Sequence, residues 1–212
     1  RKMTERLGYT VSESSVRSLL DAEAEKRTMQ AKNTADSIRE RIKQDGIIDI
    51  GAGTVDIVVI INGKALTVAS FSLSEGYDNA LQEALEVLED KRYNFASVAE
   101  LKEFLASKPS PLSRARYNAV EKIVFAQLEP FCDRIVDEVS RALRKAGAGI
   151  EVATVHGGGS IPMKDQSQLR TKLEEKLKSY NGGQVVPVLW IPGPYAQTLN
   201  RDGLWYIAKN AA

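Results

Sequence analysis

A short run of residues with phosphate-binding character interrupts an apolar stretch near residue 50. Asp49 precedes a segment made of Gly51, Ala52, Gly53 and Thr54, and Asp56 follows it. Glycine weakens a strand, so two glycines here indicate a tight turn whose backbone N–H groups can face outward together. Consecutive N–H groups of this kind, with the Thr54 hydroxyl beside them, suit a phosphate group.

The carboxylate of Asp49 indicates that a cation takes part in this chemistry. A carboxylate at the start of the turn would repel phosphate unless a cation or a water molecule lay between them. Mg²⁺ keeps most of its water ligands and uses few protein carboxylates, so Asp49 is predicted to act on Mg²⁺ through water. The alternative is an ordinary hairpin turn with a solvated aspartate, since short glycine patterns have many false positives.

A second glycine-rich loop follows a strand later in the chain. Val152–Val155 has the character of a buried strand, and it leads through His156 into Gly157, Gly158, Gly159 and Ser160. Adjacent glycines at the carboxyl end of a strand let a ligand lie directly on the backbone, where ligands of open α/β sheets bind. A flexible connection is the alternative, but two such loops favour one shared ligand.

The sequence argues against several other kinds of site. The run from His156 to Gly159 matches the oxyanion signature of lipases, but no G-x-S-x-G nucleophile motif occurs in the chain. His156 is the only histidine, and we interpret it as a packed residue at a strand end rather than a catalyst. No P-loop motif occurs, and a single cysteine, Cys132, excludes a cysteine-rich zinc site. The net charge of +1 gives no support for direct nucleic acid binding.

Strands and helices alternate along the chain, which predicts an α/β fold with a mixed sheet. Residues 47–71 predict a three-stranded antiparallel meander whose second turn is Asn62-Gly63. Pro130 is expected to kink or split a long helix that runs from Ser113 to Gly147. The other predicted elements are two helices before residue 45, a helix from Asp78, a helix capped by Ser97 and Glu100, strands over 150–155 and 184–190, a helix over 166–180, and short helices over 195–199 and 202–209.

Three segments in this order resemble motifs of the actin-like ATPase superfamily. Asp49–Asp56 resembles its second phosphate motif, Gly157–Ser160 its adenosine motif, and Pro194–Leu204 its second connecting helix. The superfamily includes actin, bacterial filament proteins, large heat-shock chaperones and sugar kinases, and the chain is similar to the ParM-like plasmid-segregation proteins in particular. The resemblance implies a ribonuclease H-like lobe, with a five-stranded-type mixed sheet, an antiparallel three-stranded meander and flanking helices.

The resemblance also implies roles for individual residues, with ATP or GTP and Mg²⁺ as the cofactors. Asp49 would hold the water shell of Mg²⁺ near the γ-phosphate and is the candidate catalytic residue. Glu121 and Lys122, on the long helix, are candidates for contact with ribose and base, although a plain solvated pair is the alternative. The remaining nucleotide-binding candidates are Gly51, Ala52, Gly53, Thr54 and Asp56 for the β- and γ-phosphates, and Gly157, Gly158, Gly159 and Ser160 for the adenosine and α-phosphate.

The chain departs from the superfamily in one respect, because it has one D-x-G hairpin where the superfamily has two. The resemblance therefore implies the second lobe only. We expect a helical segment over 1–46 and the nucleotide-binding lobe over 47–212, with a small helical insertion at about 78–112. ATP hydrolysis is expected of the two-lobe protein, whereas this chain alone should be inactive, since phosphoryl transfer depends on positioning from both sides.

The function that the resemblance implies is that of a filament-forming ATPase in plasmid or DNA segregation or in the cytoskeleton. Self-association into filaments and a DNA-binding adaptor are the expected partners, without membrane or direct nucleic acid contact, in the cytoplasm. A non-polymerising chaperone-like or scaffold ATPase, a small-molecule kinase of the same fold, and a degenerate interaction module remain alternatives. The intact glycines argue against the last, since glycine costs about 0.5–1 kcal/mol in regular structure.

Overall fold

The computed structural model describes residues 44–147 and 149–201, which form a mixed sheet with helices packed against it. The strands are β1 (Gln44–Ile50), β2 (Val55–Ile61), β3 (Lys64–Ala65), β4 (Phe71–Leu73), β5 (Val152–His156) and β6 (Val188–Trp190). The helices are α1 (Tyr77–Asp90), α2 (Val98–Ala106), α3 (Arg114–Ala146), α4 (Ser160–Gln166), α5 (Leu169–Tyr180) and α6 (Gly193–Ala196). The helices predicted before residue 45 and over 202–209 lie outside the described residues.

The sheet order brings the two glycine loops to one edge. In the described residues the strands follow the order β3-β2-β1-β5-β6, with β4 also pairing with β2. β1 is antiparallel to β2 and parallel to β5, so the predicted mixed α/β sheet is confirmed. Asp49, near the end of β1, lies opposite Asp56 on one side and His156 on the other. Because parallel strands end at the same edge, the loops that follow β1 and β5 are neighbours.

The first strands differ in detail from the prediction. β1 begins at Gln44, because Asp45 and Gly46 pair with β2 instead of ending a helix. The two-residue turn at Asn62-Gly63 is confirmed, with positive φ angles of 51° and 75°. The predicted return strand is broken by a 3₁₀ turn at Thr67–Ala69, so its two halves, β3 and β4, pair separately with β2.

The long helix α3 runs for 33 residues and passes through Pro130, so the predicted split at that residue does not occur, while a kink there stays a prediction. Buried side chains lie on both sides of the proline, among them Leu128 and Phe131, and both are fully buried. Helical stability in proteins comes mainly from packing of the apolar face, which explains why the helix continues past a proline. The predicted end at Gly147 is confirmed, with a left-handed residue that donates its N–H to Leu143.

Two other predicted elements are shorter than expected. The predicted helix over 166–180 begins three residues later, at Leu169, as α5, and Ser167 and Gln168 separate it from α4, which ends at Gln166. The hydroxyl of Ser167 donates to the Met163 carbonyl at 2.6 Å and accepts from the Leu169 N–H at 3.3 Å, so it joins the end of one helix to the start of the next. Of the predicted strand over 184–190, only the last three residues form a strand, which is β6.

The core lies between the sheet and helices α1, α3 and α5. Its largest fully buried side chains are Ile48, Ile50, Leu81, Leu88, Leu101, Leu128, Phe131, Ile135, Met163, Leu169, Leu173 and Leu177. Among the residues that the structure describes, no helix is long and apolar enough to cross a lipid bilayer.

The reactivity of Cys132 reports whether this core is closed to solvent. Cys132 is the only cysteine of the chain and is fully buried on α3. Burial raises the pKa of its thiol from 9.0 to about 11. The thiolate is the reactive form, so at pH 8 we expect iodoacetamide to alkylate the folded protein at least about 100-fold more slowly than the urea-unfolded chain. Mass spectrometry of timed samples measures both rates, and equal rates would contradict a buried thiol.

The same thiol contributes to the pH dependence of stability. Because the raised pKa belongs to the folded state, the contribution is complete below the unfolded pKa of 9.0 and is lost as the pH rises through about 11.

Candidate functional site

The loop between β1 and β2 is a tight turn that is open to solvent. The N–H of Gly51 donates to the carbonyl of Thr54 at 2.9 Å, and Ala52, Gly53 and Thr54 are exposed. No described atom lies within 4 Å of the position that a Cβ on Gly53 would take. The Thr54 hydroxyl lies 3.5 Å from a carboxylate oxygen of Asp56, which is a weak contact that a ligand can replace. The loop can therefore accept an anion against its backbone.

The first turn of α1 holds this loop in place. The N–H groups of Tyr77 and Asp78 donate to the carbonyls of Gly51 and Ala52, at 3.0 and 2.9 Å. The first N–H groups of a helix have no partner within the helix, so the loop carbonyls satisfy two of them. The backbone at Gly76 approaches so closely that a Cβ there would lie 2.4 Å from the carbonyl carbon of Ala52. The sequence placed the helix cap at Asp78, but the cap residue is Gly76.

The second glycine loop is packed directly on the end of β1. The N–H of Gly159 donates to the Ile50 carbonyl at 2.8 Å, and the N–H of Gly157 donates to the Ala196 carbonyl at 3.1 Å. The hydroxyl of Ser160 is buried and donates to the Gly157 carbonyl at 2.7 Å, so it stabilises the loop. Gly158 is exposed, and a Cβ there would meet only the Gln197 side chain, at 3.7 Å.

The two loops share one cleft of about 490 Å³. Ala52 from the first loop and Gly158 and Gly159 from the second loop lie along its walls. This volume is typical of small-molecule sites. The other lining residues are apolar (Leu105, Ala106, Ile161, Pro162) or polar (Tyr77, Asp78, Lys102, Gln166, Gln197). Of the candidates from the sequence, Ala52, Gly158 and Gly159 line the cleft, while Asp49, Gly51, Gly53, Thr54, Asp56, Gly157 and Ser160 lie in or beside the two loops without lining it.

Lys102 is a charged residue of this cleft that the sequence did not indicate. It lies on α2, and its Nζ is 2.7 Å from Oδ1 of Asp78, at the first turn of α1. Both side chains are about two-fifths exposed, at 42% and 38%, so the pair is weak and Lys102 can turn to an anionic ligand. No local motif marks such a lysine, because only the packing of α2 beside α1 brings it to the cleft.

Asp49 is fixed by residues from two other parts of the chain. Its Oδ2 accepts a hydrogen bond from the Asn200 amide at 2.6 Å. Its Oδ1 lies 3.5 Å from Nδ1 of His156, which is buried and makes no hydrogen bond. The Asp49 side chain keeps 21% of its surface exposed, so it can reach a water molecule. One partly exposed carboxylate at a phosphate-type loop suits Mg²⁺ held through water, since this ion takes few protein carboxylates.

The described part of the chain contains no group of three or more histidine, cysteine or acidic side chains that could hold a metal ion.

Glu121 and Lys122 line a different hollow, of about 310 Å³, next to the cleft. Asn118, Phe125 and Asp165 complete that hollow, and Gln166 lines both it and the cleft. The structure therefore brings Glu121 and Lys122 to the side of the cleft rather than into it. The phenol of Tyr117 lies one helical turn away, and burial together with the charge of Glu121 raises its pKa.

The sheet order, the two glycine loops and the shared cleft define the class of protein, which is an actin-like ATPase lobe. Residues 47–168 match the family described as archaeal actin homologue MreB-like, C-terminal, and the chain belongs to this family. No curated protein sequence matches the chain.

Two solved structures have the same fold. The archaeal actin homolog Ta0583, in a complex with ADP, is 17% identical, with a TM-score of 0.58 over 80% of this chain and 51% of that one. A non-polymerisable quadruple mutant of the pCBH ParM protein is 15% identical, with a TM-score of 0.53 over 79% of this chain and 47% of that one. The chain thus spans about half the length of the structures that it matches.

Proposed function

We propose that the chain is the second lobe of an actin-like ATPase that binds ATP or GTP with Mg²⁺ and assembles into filaments. The observation that carries this proposal is the cleft shared by Ala52, Gly158 and Gly159, at the carboxyl ends of two parallel strands. The family and the ADP complex of the archaeal homolog support a nucleotide as the ligand.

Within this proposal the phosphates lie against the turn from Gly51 to Thr54, and the nucleoside lies in the cleft beside Gly158. The backbone N–H groups of Ala52 and Gly53 and the Thr54 hydroxyl donate to phosphate oxygens, while Lys102 exchanges Asp78 for the ligand's negative charge. Mg²⁺ supplies charge neutralisation at the phosphates, and Asp49 orients its water ligands. Hydrolysis belongs to the two-lobe protein, because phosphoryl transfer needs positioning from both sides of the nucleotide.

The proposal also includes filament formation, a role in plasmid or DNA segregation or the cytoskeleton, a DNA-binding adaptor and a cytoplasmic location. Its support is the family and the fold shared with a ParM protein. Light scattering of the full two-lobe protein separates this function from that of a chaperone-like or scaffold ATPase. We expect scattering to rise when nucleotide and Mg²⁺ are added together. Nucleotide binding without any such rise would contradict filament formation.

Replacement of Gly158 by valine tests whether the cleft holds the nucleotide. The position is exposed and a Cβ there would only touch the flexible Gln197 side chain at 3.7 Å, so we expect the free energy of unfolding to change by no more than about 0.5 kcal/mol. The branched side chain would occupy space that the nucleoside needs, so the affinity for nucleotide should fall at least about tenfold, equivalent to about 1.4 kcal/mol. Isothermal titration calorimetry with the Mg²⁺ complexes of ADP and ATP measures the affinity.

A matched control is Ala126→Val, which adds the same kind of side chain at an exposed position of α3. This variant should bind nucleotide as the unmodified protein does. Equal affinities of the Gly158 variant and the control would show that the ligand lies elsewhere.

A further inference from the structure

His156 is a buried polar residue at the end of β5, opposite Asp49. Its side chain is only 5% exposed, and its Nδ1 is buried without a hydrogen-bond partner. A buried polar atom without a partner is destabilising, so an apolar residue would fill this position more favourably. Oδ1 of Asp49 lies 3.5 Å from this Nδ1.

Three neighbours from two parts of the chain surround the Asp49 carboxylate: His156 and Gly157 follow one another, and Asn200 lies further along. β5 lies parallel to β1 and places His156 directly opposite Asp49. Asn200 donates to Oδ2 from the other side. Gly157 leaves the room that the carboxylate needs, because a Cβ there would lie 2.3 Å from Oδ1. The carboxylate therefore has one oxygen bound by an amide and the other oxygen facing an imidazole nitrogen.

We propose that His156 is a positioning residue that orients Asp49 toward Mg²⁺-bound water, an inference that rests on the proposed nucleotide function. A small rotation of the carboxylate brings Oδ1 within hydrogen-bond distance of Nδ1–H. A carboxylate has about four acceptor sites, so Asp49 can accept from His156 and Asn200 and still accept from a water ligand of Mg²⁺. His156 touches neither nucleotide nor metal, and it acts only through Asp49.

Three substitutions of His156 in the two-lobe protein separate this role from simple packing. His156→Asn places an amide donor near the position of Nδ1, His156→Gln places it near the position of Nε2, and His156→Leu removes it while filling the space. Partners that orient a metal-linked carboxylate are worth about 10–100-fold in metal affinity or activity. We expect the leucine and glutamine variants to need at least about tenfold more Mg²⁺ for half-maximal nucleotide hydrolysis, and the asparagine variant to recover most of this loss.

The affinity for nucleotide in the absence of Mg²⁺ should be the same in all three variants and the unmodified protein. Thermal melting followed by circular dichroism establishes that each variant is folded. If the asparagine and leucine variants showed the same Mg²⁺ dependence as the unmodified protein, the positioning role would be wrong.

A spectroscopic measurement tests the contact without any His156 variant. Because the chain contains a single histidine, ¹⁵N-histidine labelling of protein without a histidine tag gives the signals of one imidazole. The ¹⁵N shifts distinguish which ring nitrogen carries the proton. We expect the proton on Nδ1, with shifts that change on Asp49→Asn and again when the Mg²⁺ complex of ADP is added. The inference would be overturned if the proton lay on Nε2 and Nδ1 were unprotonated. It would also be overturned if the ¹⁵N shifts changed neither on Asp49→Asn nor on addition of the Mg²⁺ complex of ADP.

The two proposals fail in different ways. If the unmodified protein bound no Mg²⁺–nucleotide complex, the proposed function would be wrong and the role of His156 toward Mg²⁺ would be wrong with it. If nucleotide bound but the imidazole signals and the Mg²⁺ dependence did not respond as described, only the inference about His156 would be wrong.

Discussion

Replacing Asp49 by alanine is expected to reduce nucleotide turnover by the two-lobe protein at least about 100-fold, because in the proposed site it removes a preorganised charged group at the phosphates. The residue lies near the end of β1, beside the exposed turn at Gly51–Thr54, where its carboxylate is proposed to orient water on Mg²⁺. Phosphate release at saturating nucleotide and Mg²⁺ measures the turnover. The loss should appear mainly in kcat, since the backbone N–H groups that are proposed to bind phosphate are unchanged.

The variant should remain folded. The hydrogen bond that it loses joins Asp49 to the exposed Asn200 amide, and water can replace that acceptor. We expect a decrease in the free energy of unfolding of about 1 kcal/mol or less. Asp137→Ala, on the exposed face of α3, is the matched control and should retain full turnover. Turnover by the Asp49 variant equal to that of the control would reject the role of this carboxylate.

The parts of the site that could be predicted from the sequence are those with local signals. The turn between β1 and β2 follows from two glycines within a strand-like run, and Asn62-Gly63 is a hairpin signal that depends on two residues. Ser97 accepts from the Glu100 N–H at 3.2 Å, as the capping pattern predicts. Each of these signals lies within a few residues, so no knowledge of the tertiary structure is needed to find it.

The parts that could not be predicted depend on contacts between distant segments. Asn200 reaches Asp49 across 151 positions of the sequence, and Lys102 reaches Asp78 across 24. In the sequence, Gly76 is simply a residue before a helix. Only the close approach of its backbone to Ala52 shows why a side chain would not fit at this position. Glu121 and Lys122 were placed by resemblance alone, and the packing of α3 puts them beside the cleft.

Local propensity was also overruled where packing was strong. Pro130 does not split α3, because the buried residues on both sides keep the helix against the core. Asp45 and Gly46 have the character of a helix end, but pairing with β2 and β5 makes them strand residues. Thr154 lies 3.5 Å from the Asp45 carboxylate, whose pKa is raised because the group is partly buried in the sheet.

Replacing Gly157 by alanine is expected to lower the free energy of unfolding by about 2–5 kcal/mol, because two costs add. Its φ angle of 93° disfavours any residue with a Cβ, which costs about 1–2 kcal/mol. A Cβ would also lie 2.4 Å from the Ile50 carbonyl oxygen and 2.3 Å from Oδ1 of Asp49, an overlap that costs about 1–3 kcal/mol more. Urea denaturation followed by circular dichroism measures the change.

Gly182→Ala separates the two costs, because its φ angle is also positive, at 63°, and no described atom lies within 4 Å of its Cβ position. This control should lose only about 1–2 kcal/mol. The difference between the two variants then measures how tightly the second glycine loop is packed on the end of β1. If both variants lost the same free energy, the two loops would be less closely joined than the structure indicates. A larger loss for Gly157 supports a second loop that is held rigidly on the end of β1, since the overlap with the Ile50 backbone is relieved only when the two move apart.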